Sequence, residues 1–179
     1  MRYLRLAALA LLATIAACGE VYRDTSVEMT TVDAVDVERY QGRWFEIARY
    51  PNFFEEGCVG VHANYAIRED GRIDVRNVCR QGTLDGEVNE ANGIARVVSP
   101  GKLEVTFTPW LPGVWGDYWV LHLEPDYSVV VVGSPGGRVG WILARDVEID
   151  EGRMARALAA LEANGYDLNG LEYPEQGPV

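Results

Sequence analysis

The chain has 179 residues, of which 48% are hydrophobic and 24% charged, and this suits one globular domain with a sizeable core. Its formal net charge is −11 and Lys102 is its single lysine, so it lacks the basic surface that nucleic-acid binding requires. An acidic surface keeps a chain soluble but does not identify a partner.

The first 17 residues have the pattern of an export signal. Arg2 and Arg5 precede an apolar run, and small residues then lead into Cys18 as IAAC. This ending resembles the bacterial lipobox, which predicts that Cys18 is lipidated by acyl chains such as palmitate and becomes the new N-terminus. The alternative is a soluble exported protein with an incidental cysteine.

The residue after Cys18 bears on location. Gly19, rather than Asp, follows it, and by resemblance to sorted bacterial lipoproteins this favours anchoring at the periplasmic face of the outer membrane. We therefore expect a signal peptide over residues 1–17, a lipid anchor and polar tether over 18–35, and a folded domain over 36–175.

The region from residue 44 to residue 145 consists of short alternating runs separated by turn signals. Asp70-Gly71 lies between two of these runs and is a strong hairpin signal. Because no helical pattern intervenes, the runs favour an antiparallel meander, and about eight such strands can close a barrel around one small ligand. The runs occupy residues 59–67, 73–79, 86–99, 102–109, 116–135 and 137–146.

The hydrophobic period changes after residue 149. Asp150 is a candidate N-cap, Met154, Leu158 and Leu161 form one apolar stripe, and Gly165 stands where a helix would end. We expect this helix to pack outside the barrel. The following YDLNGLEY is predicted to be a short edge strand or an extended tail.

Three segments in this order resemble those of the lipocalin family. YQGRWFEIARY is similar to the family's Gly-x-Trp first strand, LEPDYSVVVVG to the acidic-Tyr turn between two later strands, and WILARD to the last strand, which ends in the family's Arg. The resemblance covers about residues 36–175 and is closest to the bacterial outer-membrane lipoprotein lipocalins. It implies an all-β fold: an eight-stranded antiparallel up-and-down barrel with one C-terminal helix packed outside.

The same resemblance assigns a structural role to Gly42, Trp44 and Arg145. Trp44 should lie inside the closed end of the barrel with the Arg145 guanidinium stacked on its ring, a contact worth about 0.5–2 kcal/mol. Gly42 should leave room for the helical turn DVERY, which crosses beneath the barrel. None of these three residues is expected to bind a ligand.

The lumen is the expected ligand-binding site, because every second side chain of a barrel strand points inward. An inner face phased from Trp44 and Arg145 is apolar with a few polar groups, which suits a ligand with an acyl body and one polar end. The alternative is a lumen filled by side chains. We expect ligand contacts from Ala63, Tyr65, Ile73, Val75, Asn77, Tyr118, Val120, Trp141 and Leu143, with Val61, Ile67 and Val139 on the same face.

Glu46 shares its strand parity with Trp44, and a buried carboxylate is costly unless it is paired. It could bind a ligand head group, pair with Arg76 or Arg145, or lie where the strand bends. The loops at the mouth carry aromatic and aliphatic residues that could form a lid, a membrane-contact rim or ordinary loop packing. These residues are Phe53, Phe54, Trp110, Leu111 and Trp115.

Cys58 and Cys79 are expected to form a disulfide, because export places them in an oxidising compartment. The alternative is one reactive thiol. A hairpin centred on Asp70 places Val61 opposite Cys79, so the bridge requires a bent or bulged segment near Cys58.

We expect no catalytic residues, no metal and no cofactor. His62 and His122 lack a metal-ligand spacing, and Ser134 is followed by Pro135 rather than by the residues of a nucleophile elbow. The predicted function is binding of a fatty acid or lysophospholipid for storage, transport or repair of envelope lipids. A thiol-dependent enzyme of the same fold and an envelope interaction protein with a filled barrel are the alternatives, and both a monomer and a dimer remain open.

Overall fold

A computed structural model describes residues 20–177. Its eight antiparallel strands follow one another in chain order around a closed barrel, so that the first strand pairs with the last. The expected all-β barrel is therefore confirmed. The strands are β1 (Gly42–Arg49), β2 (Cys58–Ile67), β3 (Ile73–Gln81), β4 (Val88–Ser99), β5 (Lys102–Thr106), β6 (Gly116–Leu123), β7 (Val129–Gly133) and β8 (Gly140–Ala144).

Two α-helices flank the barrel: α1 (Val37–Tyr40) precedes β1 and α2 (Glu151–Ala163) follows β8. The Asp150 carboxylate caps α2 by accepting a hydrogen bond from the Arg153 amide at 2.9 Å. Gly165 ends the helix region with a φ of +82°, a conformation that glycine adopts without a Cβ penalty. The predicted cap and stop are thus both present.

The strand β7 is buried on both faces, which explains why its run of valines shows no alternation in sequence. Val130 and Val132 pack inside the barrel, whereas Val129 and Val131 belong to the cluster that includes Ala157 and Leu161 of α2. The helix therefore covers the outer face of the barrel at this strand, as expected.

The chain after α2 is a tail rather than an edge strand. A 3-10 turn over Leu168–Gly170 precedes a single bridge between Glu172 and Arg49. The Gln176 amide then donates to the carbonyls of Glu46 and Val61 at 2.7 and 3.0 Å. Both carbonyls lie beside register shifts in β1 and β2. The tail therefore donates hydrogen bonds to carbonyls at bulges, where the regular strand pairing is interrupted.

Residues 20–36, here called the N-terminal strap, pack on the domain, although a lipid anchor and polar tether was expected over residues 18–35. Tyr22 and Arg23 are buried, and the Arg23 guanidinium donates to the carbonyls of Asn164 and Pro135 at 3.0 and 2.7 Å. The Val32 amide donates to the Val120 carbonyl at 2.9 Å. The strap thus packs against the barrel and α2; Cys18 and the signal segment lie outside the described residues.

Cys58 and Cys79 form a disulfide with their Cα atoms 5.4 Å apart. The register between β2 and β3 shifts between Val59 and His62, where Gly60 has a φ of +58°. The extra residue moves Cys58 opposite Gln81, diagonal to Cys79. This confirms the predicted bulge and occupies the two thiols on which the thiol-enzyme alternative depended.

Candidate ligand-binding cavity

The barrel has one closed end, at which Trp44 is fully buried. The Arg145 guanidinium lies 3.9 Å from the centre of the Trp44 ring, and the indole N–H donates to the Tyr40 carbonyl at 2.8 Å. Tyr40 of α1 packs against the same ring, with the two ring centres 4.9 Å apart. The structure thus places Trp44 and Arg145 as the resemblance implied.

The role of Gly42 differs from the expectation. A Cβ at this position would lie 3.4 Å from Nη1 of Arg145, so the close neighbour is the arginine and not the helical turn. Gly42 also has a φ of +91°, which L side chains rarely adopt. The glycine therefore lets the chain turn into β1 directly beside the Arg145 side chain, which donates to the Arg43 carbonyl at 2.7 Å.

Inside the barrel lies a cavity of about 610 Å³ that opens at the end opposite Trp44. Because the strands alternate in direction, the loops over residues 50–57, 82–87, 107–115 and 134–139 surround this open end. The walls are largely apolar. Of the predicted contacts, those that line the cavity are Ala63, Tyr65, Ile73, Val75, Asn77, Tyr118, Trp141 and Leu143, together with Val61 and Val139.

Two predicted inward residues do not reach the cavity. Val120 is fully buried inside the barrel, but it packs in the cluster with Trp44 and does not line the cavity. Ile67 pairs with Ile73 at the hairpin end of β2 and is partly exposed, with its amide donating to Gln41 at 2.9 Å. Both lie near the closed end of the barrel.

Several lining residues lie outside the set expected from the sequence. They lie mainly on β4, β5 and the mouth loops. The alternation in KLEVTF marks Leu103 and Val105 as one face, so this part of the wall had a usable signal. Residues from the mouth loops had none, since their direction depends on loop geometry. The additional lining residues include Tyr40, Glu55, Ala95, Leu103, Val105, Thr106, Phe107, Thr108, Val114, Asp117 and Arg138.

Three tyrosine hydroxyls meet inside the cavity. The Tyr118 hydroxyl lies 2.7 Å from that of Tyr40 and 3.1 Å from that of Tyr65. Burial raises the pKa of Tyr65 to about 12 and raises the pKa of Tyr40 and Tyr118 well above their usual range, so all three stay neutral. Two hydrogen bonds use two of the three hydroxyl protons, which leaves one to donate to a ligand oxygen.

Two buried carboxyl groups, Glu46 and Glu55, form a second polar region of the wall. Glu46 pairs with the buried Arg49 at 3.0 Å, and the Glu55 carboxylate accepts from the Trp141 indole N–H at 3.1 Å. Burial, and then the charge of Glu55, raise the pKa of Glu46 well above its usual range, although Arg49 opposes this. This part of the wall therefore holds both acidic and basic groups.

The partner of Glu46 was not predicted, since Arg76 and Arg145 were the candidates. Arg76 lies outside the barrel and pairs with Glu90, while Arg145 covers Trp44. Arg49 reaches Glu46 because the register of β1 shifts between Glu46 and Ala48. A bulge interrupts the alternation of inward and outward side chains, so alternation cannot predict which side chains meet across it.

Two further polar atoms in the cavity wall have no protein partner within residues 20–177. They are Oδ1 of Asn77 and Oγ1 of Thr108, both buried. A buried polar atom without a partner is costly, so each is available to hydrogen-bond a ligand or water. Asn77 thus provides one polar point in the wall, and Thr108 provides a second near the mouth.

The mouth loops bear exposed apolar side chains, with one exception to the predicted set. Phe53 is 89% and Trp110 77% exposed, and Phe54 and Leu111 are also exposed. Trp115 is not part of this surface, because the Arg96 guanidinium of β4 lies 4.1 Å from the centre of its ring. Trp115 is half-buried because the fold brings Arg96 of β4 next to its ring.

The histidines and carboxylates among residues 20–177 do not form a metal-ligand cluster. No group of three or more His, Cys, Asp or Glu side chains there is placed to hold a metal ion. His62 lines the cavity, and burial lowers its pKa, whereas His122 hydrogen-bonds Glu124 at 3.0 Å. Within residues 20–177, no helix is both long and apolar enough to cross a bilayer.

Comparison with known sequences identifies relatives over nearly the whole domain. The family described as "Lipocalin-like domain" matches residues 35–176. Temperature-induced lipocalin-1 of Arabidopsis thaliana is 35% identical over 158 residues, covering 83% of each chain. Outer membrane lipoprotein Blc of Vibrio cholerae serotype O1 is 32% identical over 151 residues, covering 81% of this chain and 85% of the relative. Similarity therefore extends well beyond bacterial lipoproteins.

Solved structures support the same fold. Insecticyanin from the tobacco hornworm Manduca sexta matches with a TM-score of 0.65 and 16% identity, covering 84% of this chain and 85% of that one. The cockroach allergen Per a 4 matches with a TM-score of 0.64 and 20% identity, covering 86% and 97%. At these identities the likeness concerns the barrel alone.

Proposed function

The chain belongs to the lipocalin-like family, and from this premise we propose that it binds a fatty acid or lysophospholipid in the barrel cavity. The observation that carries the proposal is the cavity itself. Its volume of about 610 Å³ lies within the range of ligand pockets, about 300–1,000 Å³. Its apolar wall suits an acyl chain, and its polar atoms suit one head group.

The ligand orientation follows from the wall. Ile73, Val75 and Leu103 supply apolar surface inside the barrel, while Glu55 and Thr108 lie towards the mouth. The acyl chain enters the barrel and the head group stays near the loops. Affinity then rises with chain length until the cavity is full, by about 25 cal/mol per Å² of acyl surface buried.

A blocked cavity tests this function. Val75→Trp fills space at a buried lining position, whereas Arg76→Trp, the matched control, adds the same bulk to the exposed outer face. We expect Val75→Trp to abolish binding of a fluorescent long-chain lipid and Arg76→Trp to preserve it. Equal binding by both folded variants would place the ligand outside the barrel and favour an envelope interaction protein instead.

We further propose that Cys18 is lipidated and holds the domain at the periplasmic face of the outer membrane, where it stores, transports or repairs envelope lipids. The IAAC sequence and the relatives named outer membrane lipoprotein support this. In a bacterial host, Cys18→Ser should make the protein removable from the membrane fraction by a wash that strips peripheral proteins. Retention of this variant in membranes after a wash that removes peripheral proteins would contradict the lipid anchor.

A further inference from the structure

The open end of the barrel presents several apolar side chains to solvent. We call this surface the aromatic rim; two mouth loops supply it, and each member is about half exposed or more. Large apolar side chains that gather at one end of a soluble domain mark an interaction surface. The rim consists of Phe53 (89% exposed), Phe54 (53%), Trp110 (77%), Leu111 (52%) and Val114 (49%).

The rim is continuous with the cavity opening. Phe53, Phe54 and Val114 also line the cavity. Phe53 meets Phe54 edge to face, with ring centres 5.3 Å apart, and Phe54 lies 6.4 Å from the ring of Trp141 in the wall. Whatever covers the rim therefore contacts the entrance through which a ligand passes.

The N-terminal strap contacts this same end of the domain through Tyr22. The Tyr22 amide donates to the Gly137 carbonyl at 2.7 Å, and its hydroxyl donates to the Pro51 carbonyl at 3.0 Å. Both acceptors belong to mouth loops. An extended chain spans about 3.5 Å per residue, so the four-residue separation allows at most about 14 Å between Cys18 and Tyr22.

We propose that the aromatic rim inserts into the lipid bilayer, with the cavity opening directly onto the leaflet. The short connection to Cys18 favours a bilayer over a protein partner, because a lipid anchor at that position would bring the membrane to the rim. This orientation rests on the proposed lipidation, but the rim's own affinity for lipid does not. A ligand could then pass between leaflet and cavity without crossing water.

The physical character of the contact follows from the residues. Trp110 suits the membrane interface, since an indole has an apolar body and one N–H donor. The chain carries a net charge of −11, so attraction to anionic lipid cannot supply the binding. Rim insertion should therefore be as strong on neutral zwitterionic vesicles as on anionic ones, and added salt should not weaken it.

Vesicle co-sedimentation with the Cys18→Ser chain tests the rim without the anchor. We expect this chain to bind phosphatidylcholine vesicles and a Trp110→Ser/Leu111→Ser variant, which changes two rim residues that do not line the cavity, to bind at least about tenfold more weakly. The matched control is Val97→Ser/Val98→Ser, which removes side chains of 52% and 48% exposure from the closed end of β4. It should bind as the parent does.

Fluorescence identifies the inserted residue. Lipids brominated on the acyl chain should quench the parent, and Trp110→Phe should remove most of the quenching while preserving vesicle binding. No vesicle binding by the parent, or an equal loss in the rim and control variants, would overturn the proposal. Rim substitutions that abolish self-association but not vesicle binding would assign the rim to a second copy of the chain.

The same variants separate this inference from the proposed function. If the rim variant loses vesicle binding but still binds a dispersed lipid in its cavity, both proposals stand. If Val75→Trp leaves lipid binding intact while the rim variant fails on vesicles, the lumen proposal alone is wrong.

Discussion

The guanidinium of Arg145 lies 3.9 Å above the ring of Trp44, at the end of the barrel that holds no cavity. Arg145 also donates to the carbonyls of Arg43 and Arg39 at 2.7 and 2.8 Å. The arginine thereby ties the last strand to α1 and β1, while the indole fills the base beneath it. Packing and hydrogen bonds of Arg145 and Trp44 therefore close this end of the barrel.

Truncation of the base should destabilise the fold strongly. Trp44→Ala removes a fully buried indole and should lower the free energy of unfolding by about 3–5 kcal/mol. Arg145→Ala should cost less, about 1–2 kcal/mol, because it removes the stacking and its hydrogen bonds. Trp119→Ala is a matched control, since this half-buried indole stacks with Lys102 at 3.9 Å outside the barrel. Chemical denaturation measures these losses. If Trp119→Ala lowered the free energy of unfolding more than Trp44→Ala did, the assignment of Trp44 to the closed end would be wrong.

Loss of the disulfide should weaken the mouth end without opening the base. The bond closes a loop between residues 21 positions apart, and the chain-entropy model assigns such a loop about 3 kcal/mol. We expect Cys58→Ala/Cys79→Ala to lose about this much stability in denaturant titrations. Wild-type protein unfolded in the presence of a reductant serves as the control and should approach the same midpoint. An unchanged midpoint in both would count against the bond.

Stability should depend on pH through Glu46. Burial is the main cause that raises the pKa of the Glu46 carboxyl well above its usual range in the folded state, so the folded protein holds this proton more tightly than the unfolded chain does. The resulting stabilisation is complete at pH values below the unfolded pKa and is lost as pH rises through the folded pKa. Relative to wild type, Glu46→Gln should therefore gain stability as pH rises.

Urea denaturation of both proteins from pH 4 to pH 9 measures this difference, and contributions from other titrating groups cancel. Glu56→Gln, at an exposed position in the neighbouring loop, serves as the control and should follow wild type. A difference between Glu46→Gln and wild type that stays constant over this range would show that Glu46 does not change its protonation on folding.

The acid pair should also select among head groups. A carboxylate held near Glu55 meets like charge, whereas a hydroxyl can donate a hydrogen bond there. At neutral pH we expect a long-chain alcohol to bind about tenfold more tightly than the fatty acid of equal length, as one unfavourable charge contact predicts. Glu55→Gln should narrow the difference, and Glu56→Gln should not. Fluorescence displacement titrations with both ligands measure this difference in affinity. If Glu55→Gln left the difference unchanged, the head group would bind elsewhere in the protein.

The sequence predicted the parts of the molecule that repeat with a fixed period. Alternation from Trp44 placed Tyr65, Val75 and Asn77 in the wall, because a barrel strand without a bulge keeps its inner face. The capped helix was equally readable, since its cap and its terminal glycine are local signals.

The rest could not be predicted where periodicity fails. A bulge after Glu46 brings Arg49 to its side, and alternation cannot reveal this contact. Residues 20–36 have no regular period, so their packing on the barrel left no pattern, and Trp115 finds Arg96 only in the folded barrel. Lipidation of Cys18 and the ligand contacts remain predictions.

The pairing of β1 with β8 has a consequence for how the protein folds. Phe45 pairs with Ala144, so ring closure joins the two ends of the domain and must await synthesis of its last strand. The β2–β3 hairpin is local and can form early, whereas closure carries a loop-entropy cost and should be the slow step. Until then β1 and β7 present unpaired edges that invite aggregation. A chaperone that shields these edges during export would therefore raise the yield of folded protein more than one that acts after β8 has docked.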